Sequence, residues 1–238
     1  MKLLLPKQHG AWAMLLVPFL LGITSSTFTS THIPLFLGWL FLYLSTYPLL
    51  MLVKGKKKKE YYKWSGIYVG FTLLFLAIVL LNEWKMLYFG LMMIPLFIVN
   101  LYFAKKKKER AFLNDVTAII VFCIGGLASY YLGAGSLDKQ GWMIAILCFL
   151  FFLGSTFFVK TMIREKKNVA FRWYSWSYHA LLPILVVLFT QSLLFMIAFI
   201  PSVIRVFTLY GKKLTIMQLG VAEIVNSVCF LVTIIILV

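Results

Sequence analysis

Eight side chains in this sequence have the types that can do chemistry: His9, Asp115, Lys160, Arg164, Glu165, His179, Arg205 and Glu223. Lys160 and Arg164 stand four residues apart, so on a continuing helix they share a face. Two cations on one face suit a phosphate or carboxylate ligand, and the guanidinium adds a bidentate fork. His179 has the chemistry of an acid, a base or a hydrogen-bond donor near neutral pH. Magnesium needs hard oxygen ligands, and Asp115, Glu165 and Glu223 lie on three different elements. Cys123, Cys148 and Cys229 each sit inside an apolar run with no CxxC or metal-type spacing, which reads as small buried hydrophobes rather than a disulfide framework or zinc site. No metal and no cofactor are expected.

The same residues have structural readings beside the functional ones. Lys160 and Arg164 also suit snorkelling to lipid phosphates. Asn114-Asp115 has the composition of a helix N-cap. Arg205 and Glu223 suit a structural ion pair. Asn226, about one helical turn beyond Glu223, suits interhelical hydrogen bonding.

The elements that must position these groups are apolar helices. Of 238 residues 62% are hydrophobic, against roughly 45–50% for a soluble domain, so the excess must meet lipid. A helix needs about 20 mainly apolar residues to cross a hydrocarbon core. Nine spans are expected: 11–28, 33–53, 64–81, 85–104, 113–133, 141–159, 178–189, 193–207 and 220–238. The stretch 178–209 is too long for one ordinary crossing, and Thr190-Gln191-Ser192 interrupts it. Pro18, Pro48, Pro95, Pro183 and Pro201 fall within or near the ends of spans, where they bend helices or shape a cavity. The fold class is all-α, a polytopic transmembrane helical bundle forming a single domain over 1–238. The first span is expected to remain in the protein, because no small-residue cleavage site follows it.

Charge gives the orientation. Lysine and arginine cluster at 54–63, 105–110 and 160–172, between the spans. Basic loops stay in the cytoplasm, which places the N-terminus inside, the C-terminus outside and the protein in a cytoplasmic membrane. Splitting 178–209 into two spans also brings Arg205, Lys212 and Lys213 to the basic side. The net charge of +16 lies in short loops beside apolar spans, so anionic lipid headgroups are the expected partners, and nucleic acid is not. The titratable residues then gather near the cytoplasmic ends of their helices, which implies a cavity open to the cytoplasm.

Pro6-Lys7-Gln8-His9-Gly10-Ala11-Trp12-Ala13-Met14 resembles the N-terminal motif of the YwiC-like family of bacterial membrane proteins. Asn114-Asp115, the segment from Val159 to Glu165, His179, and the segment from Gly220 to Ser227 with Glu223 resemble that family too. More distantly, span count and orientation resemble the UbiA-type prenyltransferases. That resemblance implies a nine-helix bundle with a cytoplasm-facing cavity, and two aspartate-rich motifs holding Mg²⁺ against a prenyl diphosphate. The corresponding places here read Tyr47-Pro48-Leu49-Leu50-Met51 and Val159-Lys160-Thr161-Met162-Ile163-Arg164, with no aspartate. The expectation is a UbiA-like architecture that binds an anionic, isoprenoid or other lipid-like ligand by direct charge pairing, as a divergent transferase or a binding protein. The alternatives are a transporter, which the nearly charge-free outer halves count against, and a scaffold whose basic loops dock a partner.

Overall fold

The computed structural model describes residues 4–6, 9–56 and 58–238; the His9 side chain, Lys7, Gln8 and Lys57 lie outside the described residues. The described residues form nine α-helices and one 3-10 helix, with no strands among them. The helices are α1 (His9–Thr24), α2 (His32–Val53), α3 (Lys59–Asn82), α4 (Met86–Lys105), α5 (Phe112–Ala134), α6 (Lys139–Ile163), α7 (Val169–Thr190), α8 (Ile200–Leu209) and α9 (Ile216–Leu237). The 3-10 helix Leu194–Phe199 runs directly into α8. Six helices (α2 to α6 and α9) are long and apolar enough to cross a membrane. The chain is a helical membrane bundle.

Local chemistry sets the helix ends. Asp138 accepts from the Gln140 and Gly141 amides and caps α6. Asn168 accepts from the Phe171 amide and caps α7. Thr215 and Gln218 form a reciprocal capping box at α9. Gly135 closes α5 in the left-handed region, φ 75°, where a Cβ is disfavoured. The expected break at Thr190-Gln191-Ser192 is present, with Gln191 at φ 55° ending α7. Several helix ends shift by four or five residues from expectation, as where α3 starts at Lys59 rather than 64 and α9 at Ile216 rather than 220, and two differences bear on the site. The seventh helix starts at Val169 rather than 178, because the Asn168 cap nucleates it earlier. The eighth begins as a 3-10 turn, and Pro201 sits in the first turn of α8, where it starts a helix instead of kinking one.

Without a hydrophobic drive between helices in lipid, small residues that permit close approach hold such bundles together. α1 and α5 are the spine. A Cβ on Gly126 would stand 2.7 Å from the Pro18 carbonyl oxygen, and one on Gly22 would stand 2.8 Å from the Tyr130 amide nitrogen. The Ser129 hydroxyl donates to the Phe19 carbonyl at 2.9 Å across this contact. His32, buried, accepts the Thr29 amide on Nδ1 and so donates from Nε2 to the Ser129 carbonyl at 2.9 Å, tying α2 to the spine. On one side of the spine α2, α3 and α4 pack around Phe19, Trp39, Tyr68 and Phe89. On the other, α6, α7, α9 and the 3-10 helix pack around Phe151, Phe199 and Phe230.

Loop contacts sort the ends of the bundle. Lys54 after α2 pairs with Glu109 between α4 and α5. Burial is the largest single influence and raises the Glu109 carboxyl, but the Lys54 hydrogen bond, a backbone hydrogen bond and the charges of Lys54 and Arg110 together outweigh it, so the group ends below the usual carboxylate range. Lys160 at the end of α6 donates to the Arg110 carbonyl. At the opposite end Gln140 donates to the Ser25 carbonyl. Among the described residues, the charged side chains at that far end are Glu83, Lys85, Asp138 and Lys139, and they cancel. Gly126→Val should push α1 from α5 and cost about 1–3 kcal/mol, read as a lower thermal midpoint in nanodiscs. Gly66→Val, where a Cβ meets nothing within 4 Å, should leave the midpoint nearly unchanged.

Candidate functional site

The expected cationic face at the end of α6 resolves into two differently directed groups. Lys160 lies in the last turn of α6, buried, with Nζ 2.8 Å from Asp115 Oδ2 and 2.6 Å from the Arg110 carbonyl oxygen. α6 stops at Ile163, so the shared face ends there. Arg164 is exposed and caps the helix with its backbone N–H on the Lys160 carbonyl. Asp115 is not the N-cap of α5; that position is Ala111, and Asn114 instead donates to the Glu109 carbonyl at 2.8 Å. Glu165 accepts from the Asn168 side chain at 2.8 Å and organises the turn into α7. His9 opens α1 in the backbone, and its side chain lies outside the described residues.

A second polar layer lies deeper. Arg205 on α8 pairs with Glu223 on α9, both buried. The Arg205 guanidinium also stacks on the Phe158 ring, 4.2 Å from its centroid. Next to the pair, Ser202 and Asn226 hydrogen-bond at 3.0 Å, and the Ser155 hydroxyl of α6 faces the Glu223 carboxylate. His179, fully buried, donates from Nδ1 to the Ser175 carbonyl at 2.7 Å. Its Nε2 has no hydrogen-bond partner and looks at Gly154. Because α7 starts at Val169, His179 is ten residues into its helix, about 15 Å from the basic end at 1.5 Å per residue. Glu223 is seven residues into α9, about 10 Å deep by the same rise. The structure therefore brings Asp115, Lys160 and Arg164 to the basic surface and His179, Arg205 and Glu223 to an interior layer. It does not place all of them around one hollow.

A hollow of 80 Å³ lies at the basic end between the end of α6 and the α8–α9 turn, lined by Thr161, Met162, Lys166, Tyr210, Gly211 and Lys212. Neither lysine has a carboxylate partner among the described residues. Arg172 adjoins it, its guanidinium 5.6 Å from the Tyr210 ring and 5.2 Å from the Trp176 ring. Sequence reasoning treated Lys166 and Lys212 only as orienting charges. They are 46 positions apart, and no local spacing signals that the α8–α9 turn folds back against α6. Among the described residues no three His, Cys, Asp or Glu side chains gather to hold a metal ion.

Comparison with known proteins adds family membership. The YwiC-like protein family matches residues 5–130, more than half of the chain. The chain belongs to the YwiC-like family. It is 49% identical over 231 residues to a protein of Bacillus subtilis (strain 168) named "Uncharacterized protein YwiC", covering 97% of this chain and 96% of that one. It is also 41% identical over 232 residues to an "Uncharacterized protein" of Haemophilus influenzae (strain ATCC 51907 / DSM 11121 / KW20 / Rd), covering 98% and 97%. No solved structure matches the chain.

In this YwiC-like protein the deep pair has a stability consequence. Removing one partner of a buried ion pair strands the other charge, whereas replacing both by apolar groups is far milder. Arg205→Met or Glu223→Met alone should cost about 3–5 kcal/mol, and the double substitution should recover most of that. Thermal unfolding of the four proteins in nanodiscs measures the cycle. Additive losses would mean the two charges are not coupled.

Proposed function

We propose that this protein binds an anionic, lipid-like ligand at the cytoplasmic face of the bacterial cytoplasmic membrane, with its N-terminus inside and its C-terminus outside. The observation that carries the reading is the hollow flanked by Lys166 and Lys212 at the end where the basic loops meet. Two ammonium groups without acidic partners favour a phosphate or carboxylate, and Thr161 adds a hydroxyl to the lining. Arg164, exposed on the same turn as Lys166, extends the cationic rim. Lys160 acts on this rim indirectly. Held by Asp115 and the Arg110 carbonyl, it fixes the end of α6 from which the rim hangs.

The basic loops contact anionic headgroups, and the bundle supplies the apolar surface that a lipid tail needs. The finer reading, a UbiA-like bundle in which direct charge pairing replaces metal-bridged diphosphate binding, is supported by the two basic loops after α2 and α6. The segments in the places of that family's aspartate-rich motifs, 47–51 and 159–164, hold no aspartate, and the second carries Lys160 and Arg164. An isoprenoid tail and transfer chemistry rest on the same resemblance.

Lys166→Ala combined with Lys212→Ala should weaken binding of farnesyl monophosphate to the purified protein about tenfold or more, since each lost charge-assisted contact is worth roughly 1.5–3 kcal/mol. Binding of uncharged farnesol should not change. Binding of the phosphate that is indifferent to both substitutions, measured by native mass spectrometry or equilibrium dialysis in nanodiscs, rules the site out.

A further inference from the structure

A hollow of 110 Å³ lies in the other half of the molecule and at the other end, toward the neutral loops. Its walls come from five helices: Phe19 of α1, Leu35 and Trp39 of α2, Leu76 and Val79 of α3, Met86 to Met93 of α4, and Gly125 and Ala128 of α5. No charged side chain lines it. Two packing facts create it. α3 lies on α2 and α4 lies on α5, and the two touch each other little, so the hairpin that they form splays open. Gly125 lets the Trp39 indole lie flat against α5, since a Cβ there would meet the ring at 2.7 Å. The mouth is on α4, where Leu87 and Gly90 are exposed. A Cβ on Gly90 would meet nothing within 4 Å.

A cavity lined by carbon does not hold water; engineered apolar cavities of about 150 Å³ stay dry and take small hydrocarbons. This one opens sideways between two helices whose outward surfaces are apolar, so hydrocarbon is what meets its mouth. Charge at the rim selects the headgroup. Lys85, exposed, immediately precedes Met86 at the start of α4; its backbone amide donates to the Glu83 carboxylate at 3.2 Å, and its ammonium is the cation at the rim. Trp84 and Tyr88 pack edge to face beside it, ring centroids 5.6 Å apart, the residue types that gather at headgroup depth.

We propose that the cleft between α2, α3, α4 and α5 is a lipid site that takes a segment of one acyl chain of an anionic phospholipid, with the phosphate on Lys85. The chain lies over Trp39 and the gap at Gly90 is its entrance. The site shares no residue with the Lys166–Lys212 hollow, so the two stand or fall separately.

Trp39 is 7% exposed and is reached through the cleft, which makes it the reporter. The other six tryptophans (Trp12, Trp64, Trp84, Trp142, Trp173 and Trp176) are replaced by phenylalanine, and the protein is reconstituted in nanodiscs of phosphatidylglycerol carrying brominated acyl chains. Bromine quenches Trp39 only when the chain enters. Quenching should be lost in Gly90→Leu, which fills the entrance, and kept in Gly66→Leu, which points into open space elsewhere. Brominated phosphatidylcholine should quench less than phosphatidylglycerol, and Lys85→Gln should erase that difference. Equal quenching of Gly90→Leu and its parent overturns the site. Equal quenching by the two lipids in the parent overturns the anionic occupant. Should the six-fold tryptophan replacement not fold, native mass spectrometry of the full wild-type chain decides instead. Phosphatidylglycerol retained by wild type and lost in Gly90→Leu supports the site, and retention equal in both overturns it.

Discussion

The cost of a charge in hydrocarbon governs this protein. Isolated ionised groups are expensive in the bilayer, so charges either stay at an interface or are paired inside the bundle. Both solutions are visible. The lysine blocks gather at one end, and the far end carries only Glu83, Lys85, Asp138 and Lys139 among the described residues. The charges that do enter the interior, Arg205 and Glu223, enter together and with Phe158, Ser155 and the Ser202–Asn226 pair around them. The same constraint sorts the cations of the basic end. Lys160 is neutralised by Asp115 and Arg205 by Glu223, whereas around the end of α6 the exposed Arg164, Lys166 and Lys212 have no carboxylate partner among the described residues.

Packing divides the molecule around the α1–α5 spine into two unequal halves. The α6–α9 half is tight and polar at its centre. The α2–α4 half is looser, without a buried charge among the described residues, and open between α3 and α4. That division puts the hollow bordered by Lys166 and Lys212 at the basic end of one half and the apolar cleft at the neutral end of the other. Gly22, Gly125 and Gly126 are therefore as consequential as any ionisable residue, because they set how near α1, α2 and α5 approach.

Much of the architecture was legible in the residues. Apolar runs of membrane length marked the helices, and the Thr190-Gln191-Ser192 break was visible because three consecutive polar side chains interrupt an apolar stretch too long for one crossing. The start of α7 was not, since 169–177 carries Arg172, Trp173, Tyr174 and Trp176 and reads as an interfacial segment rather than a helix. That early start is what sinks His179 from the expected surface to mid-helix. Site geometry was less legible still. The Asp115–Lys160 pair joins positions 45 apart, and the spacing of Lys160 and Arg164 promised a shared face that the helix end at Ile163 removes. Only tertiary contact between loops shows which of the many lysines border a hollow.

Sidedness is the claim on which the account turns, and thiol labelling tests it directly. Cys123, Cys148 and Cys229 are replaced by alanine, and single cysteines are placed as Lys167→Cys in the α6–α7 turn and Ser136→Cys in the α5–α6 turn. Intact cells or spheroplasts are then treated with a membrane-impermeant maleimide. The orientation argued here gives labelling at position 136 and none at position 167 until the membrane is opened. Labelling of position 167 from outside would contradict it, and with it the assignment of the Lys166–Lys212 hollow to the cytoplasmic face.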